Sequence, residues 1–103
     1  MIPIIQLEIA ACGRFGVSPS LFHSSSCGGD LSAARRVAWW LAHRLNGWSL
    51  ASIARDHGGT NPSTVIAAMC RLRRDFNEHN SVARDARDLL AIFQELDTWR
   101  NKA

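Results

Sequence analysis

Residues 57 to 74 read HGGTNPSTVIAAMCRLRR, and this segment restricts the chain's folding choices more than any other. Two consecutive glycines permit a left-handed backbone and end whatever helix precedes them. Asn61 has the chemistry of an N-cap and Pro62 has the φ of a first helical residue, so a helix is expected to begin here. Val65, Met69, Leu72 and Phe76 follow at spacings of four, three and four, which gives that helix one apolar face.

The remaining segments are also helical in pattern. Residues 4 to 13 repeat apolar residues as Ile5, Ile9 and Cys12, with Leu7 and Ala10 alongside, before Gly13 and Gly16 interrupt the run. Ser18-Pro19 is suited to capping a brief helical turn that turns Leu21 and Phe22 toward a core. HSSSCGGD, residues 23 to 30, has the composition of a loop. Ser32 is placed to cap a helix running to about Leu45, with Ala34, Ala38, Leu41 and Leu45 on one face and Asn46-Gly47 at its end. Ser49 is placed to cap a short helix containing Leu50, Ile53 and Ala54. A last helix, from about residue 81 to 100, repeats Val82, Ala86, Leu89, Phe93 and Leu96. No segment alternates strictly as a half-buried strand does, so the expected fold is all-α, a compact arrangement of five to six helices. With 103 residues, one domain over the whole chain is expected.

Charge is concentrated in the middle of the chain. Residues 33 to 76 carry seven arginines, at 35, 36, 44, 55, 71, 73 and 74, against two aspartates, Asp56 and Asp75. Eleven of the twelve basic residues are arginine, whose forked donors suit phosphate oxygens and guanine edges. Charge alone fits a solvated basic surface as well as it fits an anionic partner. Neither a span-length apolar run nor a signal peptide is present, and the expected location is the cytoplasm, with the nucleoid. The three cysteines, Cys12, Cys27 and Cys70, form no CxxC pair and read as reduced thiols. A zinc site from Cys12, His23 and Cys27 matches no familiar ligand spacing, so neither metal nor cofactor is expected. With no Ser/His/Asp or Cys/His signature and no GxxxxGK[ST] motif, the chain does not read as an enzyme.

Residues 49 to 57 and 62 to 78, joined by the turn GGTN, have the layout of a helix-turn-helix. In that geometry the start of the second helix enters the major groove. It would present Thr60, Asn61, Ser63 and Thr64 and, one turn on, Ala67 and Arg71. Hydroxyls and an amide read base edges or bond phosphates, and a small residue touches a thymine methyl. Arg71 and Arg74 share a face away from the apolar stripe and suit the DNA backbone. The bland alternative is that Ser, Thr and Asn act only as caps in a structural bundle.

The segment AARRVAWWLAHRLNGWSLASIARDHGGTNPSTVIAAMCRLRRDF resembles the C-terminal DNA-binding domain, domain IV, of the bacterial replication initiator DnaA. The matching residues are Arg35, Leu41-Ala42, Ser49-Leu50, Ile53, Gly58-Gly59 and Ser63-Thr64-Val65. Upstream, FGVSPSLF fits the region before that family's basic loop. The resemblance runs from about Ile4 into the last helix and implies a Trp-repressor-like helical fold that binds double-stranded DNA. It also implies that Arg35 contacts the DNA backbone, that Arg36 stands for a polar contact residue, and that His43 stands where the family often has lysine. Two departures are evident. Thr60-Asn61-Pro62 replaces the family's Arg-Asp-His, and the loop HSSSCGGD carries no Lys or Arg, so the resemblance implies no minor-groove arginine here. The ATPase domain of an initiator is absent from this sequence. The expected function is therefore that of a small transcriptional or replication regulator, of prophage or gene-transfer kind.

Several features have plainer readings. Trp39 and Trp40 are adjacent, so one faces the core and the other an edge, while Trp48 and Trp99 are expected at the core or a helix junction. His57 is expected to serve the end of its helix. The stripe on the last helix suits either closure of the chain's own core or a homodimer or partner-protein contact. The latter is the alternative function: an interaction module that keeps the fold without reading DNA.

Overall fold

A computed structural model describes residues 2–58 and 60–102, with no side-chain description for 101 and 102. Among the described residues the α-helices are α1 (Ile4–Phe15), α2 (Gly29–Asn46), α3 (Leu50–Asp56), α4 (Pro62–Glu78) and α5 (Ser81–Lys102), with a 3-10 turn at Pro19–Leu21. The described residues contain no strand. The all-α expectation holds. None of the described helices is long and apolar enough to cross a membrane.

Helix α2 is the central element, packed against α1, α3, α4 and α5. Because it is surrounded, its buried surface exceeds the expected stripe. Ala34, Ala38 and Leu41 are buried as anticipated, but so are Leu31, Ala33, Val37, Trp39 and Ala42. It also begins three residues before Ser32. Gly28 occupies the N-cap with φ 146, its carbonyl accepts from Ser32 N at 2.8 Å, and Asp30 lies in the first turn, where a carboxylate favours the positive helix end. At the other end Gly47 takes the left-handed conformation, φ 70, which glycine adopts without steric cost.

The buried face of α1 differs from the expected one. Ile5 and Ile9 are 55% and 50% exposed, whereas Leu7, Ala11, Cys12 and the carboxylate Glu8 are buried. Apolar residues surround most of this helix, so periodicity alone selects no unique face. Packing on α2 selects the one that contains Glu8. The helix also continues through Gly13 and stops at Gly16, φ 70. In the 3-10 turn region Phe22 is buried but Leu21 is 39% exposed, so only one of that pair serves the core.

The caps of α3 and α4 follow the sequence. Ser49 Oγ accepts from Ser52 N at 3.1 Å, and Asn61 Oδ1 accepts from Ser63 N at 2.9 Å with Pro62 opening α4. Val65 and Leu72 are buried, and Met69 and Phe76 pack against the core from a half-buried position. On α5, Ala86, Leu89 and Phe93 join the core. That stripe closes the chain's own interior, except at its end, where Leu96 is 53% and Trp99 69% exposed. Trp99 is therefore not the junction aromatic that was expected. Trp48 is half-buried, Trp39 is buried, and Trp40 lies at the edge with its ring 5.2 Å from that of Phe76.

Candidate nucleic-acid interface

Helices α3 and α4 meet through residues 57–61, with Gly58 at φ 73. Gly59, the second glycine of the expected helix stop, lies outside the described residues. Thr60 Oγ1 donates to the His57 carbonyl at 2.9 Å, which closes the turn and leaves Thr60 half-buried. The start of α4 stands clear of the core: Asn61, Pro62, Ser63, Thr64, Ala67, Arg71 and Arg74 are all exposed. The structure thus brings the expected groove-facing residues onto one outward surface.

Their side chains are not equally free. Asn61 Oδ1 is occupied by Ser63 N and by the Ser63 hydroxyl, at 2.9 and 3.0 Å, so the Ser63 oxygen faces outward chiefly as an acceptor. Ser49 is engaged with Ser52. His43 Nδ1 lies 2.8 Å from the Trp48 carbonyl, which fixes the end of α2. Arg71 retains 60% of its side-chain exposure and lies 3.9 Å from Asp75 Oδ1.

Two arginines of the expected set point into the protein. Arg35 donates to four backbone carbonyls, those of Leu21, Phe22, Ser24 and Ser26, at 2.8–3.0 Å. Its guanidinium is the scaffold of the loop after the 3-10 turn. Arg36 is 7% exposed and donates from Nε to Asp75 Oδ2 at 2.8 Å, joining α2 to α4. A guanidinium among helices is identical in sequence to one facing phosphate. Only the position of Asp75, itself 2% exposed, tells them apart.

Other residues on the surface were missed by sequence reasoning. Ile66 is 49% exposed, one residue after the buried Val65, and presents an apolar group beside Ala67. The signal was available, since Ile66 falls outside the four- and three-residue spacing of the Val65, Met69, Leu72 and Phe76 face. Arg73 lines a cleft of about 310 Å³ with Trp40, His43, Leu50, Met69, Leu72 and Phe76. Arg44 lies over the Trp40 ring at 5.8 Å, and Arg55 is exposed and donates from Nη2 to Ser52 Oγ at 3.1 Å.

Behind this surface, α1, the loop and the end of α3 enclose a polar cluster. Glu8 Oε1 lies 3.0 Å from His23 Nε2. Burial raises the Glu8 carboxyl above its usual range, opposed by the hydrogen bond and charge of His23. His57 packs on His23 with ring centroids 4.6 Å apart and edge-to-face on Phe22 and Trp39. Burial first, then His23 and Arg35, lowers His57 to about 4, against the pull of Asp56. Burial likewise raises the Cys12 thiol.

A short capped helix, a closed turn and a longer helix with an exposed polar start define a helix-turn-helix domain. Comparison with known proteins narrows this: residues 5–71 match the family described as the bacterial DnaA protein helix-turn-helix, and the chain belongs to that family. The chromosomal replication initiator protein DnaA of Streptococcus agalactiae serotype Ia is 32% identical over 102 residues, as are those of serotypes V and III. The alignments cover 99% of this chain and 20% of each relative. The chain therefore spans about one fifth of the length of the curated relatives it matches.

Proposed function

We propose that this chain binds double-stranded DNA sequence-specifically and acts as a small, non-enzymatic regulator of transcription or replication, of phage or gene-transfer kind, at the bacterial nucleoid. The observation that carries this reading is the outward surface at the start of α4, where Ser63, Thr64, Ile66 and Ala67 are exposed together with Arg71 and Arg74 one and two turns on. Seated in a major groove, hydroxyl oxygens accept from or donate to base edges, and Ile66 and Ala67 suit thymine methyls. The two arginines neutralise phosphates.

The roles within the expected contact set divide accordingly. Thr60, Asn61, Ser49 and His43 set the geometry of the turn and helix ends, while Arg35 and Arg36 hold the scaffold. Arg44, Arg55 and Arg73 join Arg71 and Arg74 as phosphate-facing candidates. The test is selection of bound sequences from random duplexes, followed by Ser63→Ala/Thr64→Ala. The expected result is a defined motif whose preference is relaxed by the double substitution more than overall affinity falls. Binding with no sequence preference, or no binding at low salt, overturns the reading.

A second reading rests on the exposed Ile92, Leu96 and Trp99 near the end of α5. These suit a protein partner or a second copy of the chain, and Leu96→Asp would then break a complex without unfolding the fold.

A further inference from the structure

We propose that Glu8, His23 and Asp56 form a binding site for a divalent transition-metal ion such as Zn2+. One ligand atom from each of the three lies within 4.8 Å of the other two. They come from separate segments: Glu8 from α1, His23 from the loop after the 3-10 turn, and Asp56 from the last residue of α3. Two oxygen donors and one imidazole nitrogen are a donor set that zinc accepts, with water in the fourth position. Metal–donor bonds of about 2.0–2.2 Å in a tetrahedron place donors about 3.3–3.6 Å apart. The Glu8–His23 separation of 3.0 Å is slightly shorter and the outer limit of 4.8 Å longer. The side chains of His23 and Asp56 are on the exposed side of the cluster, where neighbouring packing does not enclose them.

A hydrogen bond between Glu8 and His23 accounts for two of the three groups but not for the third. Asp56, itself exposed, brings a second carboxylate beside Glu8, which is 4% exposed, and two like charges this close repel. A dication neutralises both. Arg35, which also faces this region, has its guanidinium engaged by four loop carbonyls. A further observation points the same way. His57, beside Asp56 and stacked on His23, has Nδ1 buried with no hydrogen-bond partner among the described residues. Buried ring nitrogens are ordinarily satisfied, and this unsatisfied one belongs to the ring stacked on His23.

The inference is independent of DNA binding, and its test uses the free chain. Zn2+ is titrated into reduced protein against a chromophoric chelator, thermal unfolding is followed across the titration, and the Co2+ complex is examined spectroscopically. One ion per chain is expected, with a Tm that rises with Zn2+ concentration. His23→Gln and Asp56→Asn, both exposed and tolerable to the fold, are each expected to weaken Zn2+ by about tenfold or more, since even an outer partner of a ligand is worth that much. Asp30→Asn, an exposed carboxylate elsewhere, leaves affinity unchanged. Absence of stoichiometric binding overturns the proposal. So does binding that survives both ligand substitutions, or a Co2+ spectrum with a thiolate charge-transfer band, which would assign the metal to cysteine.

Discussion

Removing the Asp75 carboxylate tests whether Arg36 belongs to the scaffold or to a ligand surface. In Asp75→Ala the Arg36 guanidinium, whose side chain is 8% exposed, loses its 2.8 Å partner and stays buried with an uncompensated charge. Breaking a buried pair in this way costs about 3–5 kcal/mol. Asn80 Nδ2, which donates to the other carboxylate oxygen at 2.9 Å, loses its acceptor as well and sets the loss toward the upper end. For a chain of this size each kcal/mol lowers Tm by about 4–8 °C, so the midpoint should fall by about 12 °C or more. Urea unfolding at fixed salt measures the free energy directly, provided the m-value is unchanged. In Arg36→Met/Asp75→Leu, apolar groups replace both charges, and stability should recover most of the loss, short of the Asn80 bond to Asp75. The non-additivity of the cycle then reports the pair itself. A loss below about 1 kcal/mol in Asp75→Ala would place the pair among solvent-screened surface contacts and refute the reasoning. So would an Arg36→Met variant of full stability with weakened DNA binding.

Arg35→Ala should release the loop at residues 23–28. Limited proteolysis is expected to cut there faster than in the parent, with a stability loss of about 1.5–3 kcal/mol, less than four independent bonds would sum to. Asn61→Ala removes the α4 cap and should cost about 1 kcal/mol in thermal unfolding, while Asn61→Asp should not. Leu89→Ala should cost about 2–5 kcal/mol because it opens the core, whereas Leu96→Ala, on the same stripe but exposed, should fall within about 0.5 kcal/mol of the parent. In salt titrations of DNA binding, Arg71→Ala and Arg74→Ala should each reduce the slope of log K against log salt by about one.

Much of the fold was legible because its punctuation is chemical. Ser49, Asn61-Pro62 and Gly47 mark helix ends through local hydrogen bonding and backbone preference, which need no tertiary information. The faces were legible where apolar residues are sparse, as on α4, and not where they are abundant, as on α1. There Ile5 and Ile9 look outward while a carboxylate looks inward, a choice made by α2 and by His23. The outward polar start of α4 was readable from spacing. The division of the arginines was not, because burial of Arg36 depends on Asp75, 39 residues away, and the engagement of Arg35 depends on the path of a loop whose composition signals only irregularity.

The clamp that Arg35 places on the loop bears on how much information a complex with DNA can carry. A segment held by four main-chain anchors, and lacking Lys and Arg, is a poor probe for a second groove. If the chain reads DNA as proposed, that reading falls to helix α4, whose footprint is a handful of base pairs. A word that short recurs by chance throughout a genome, where about a million or more competing sites exist. For this domain by itself, selectivity would then rest on clustered copies of the word, through their number and phasing along the duplex.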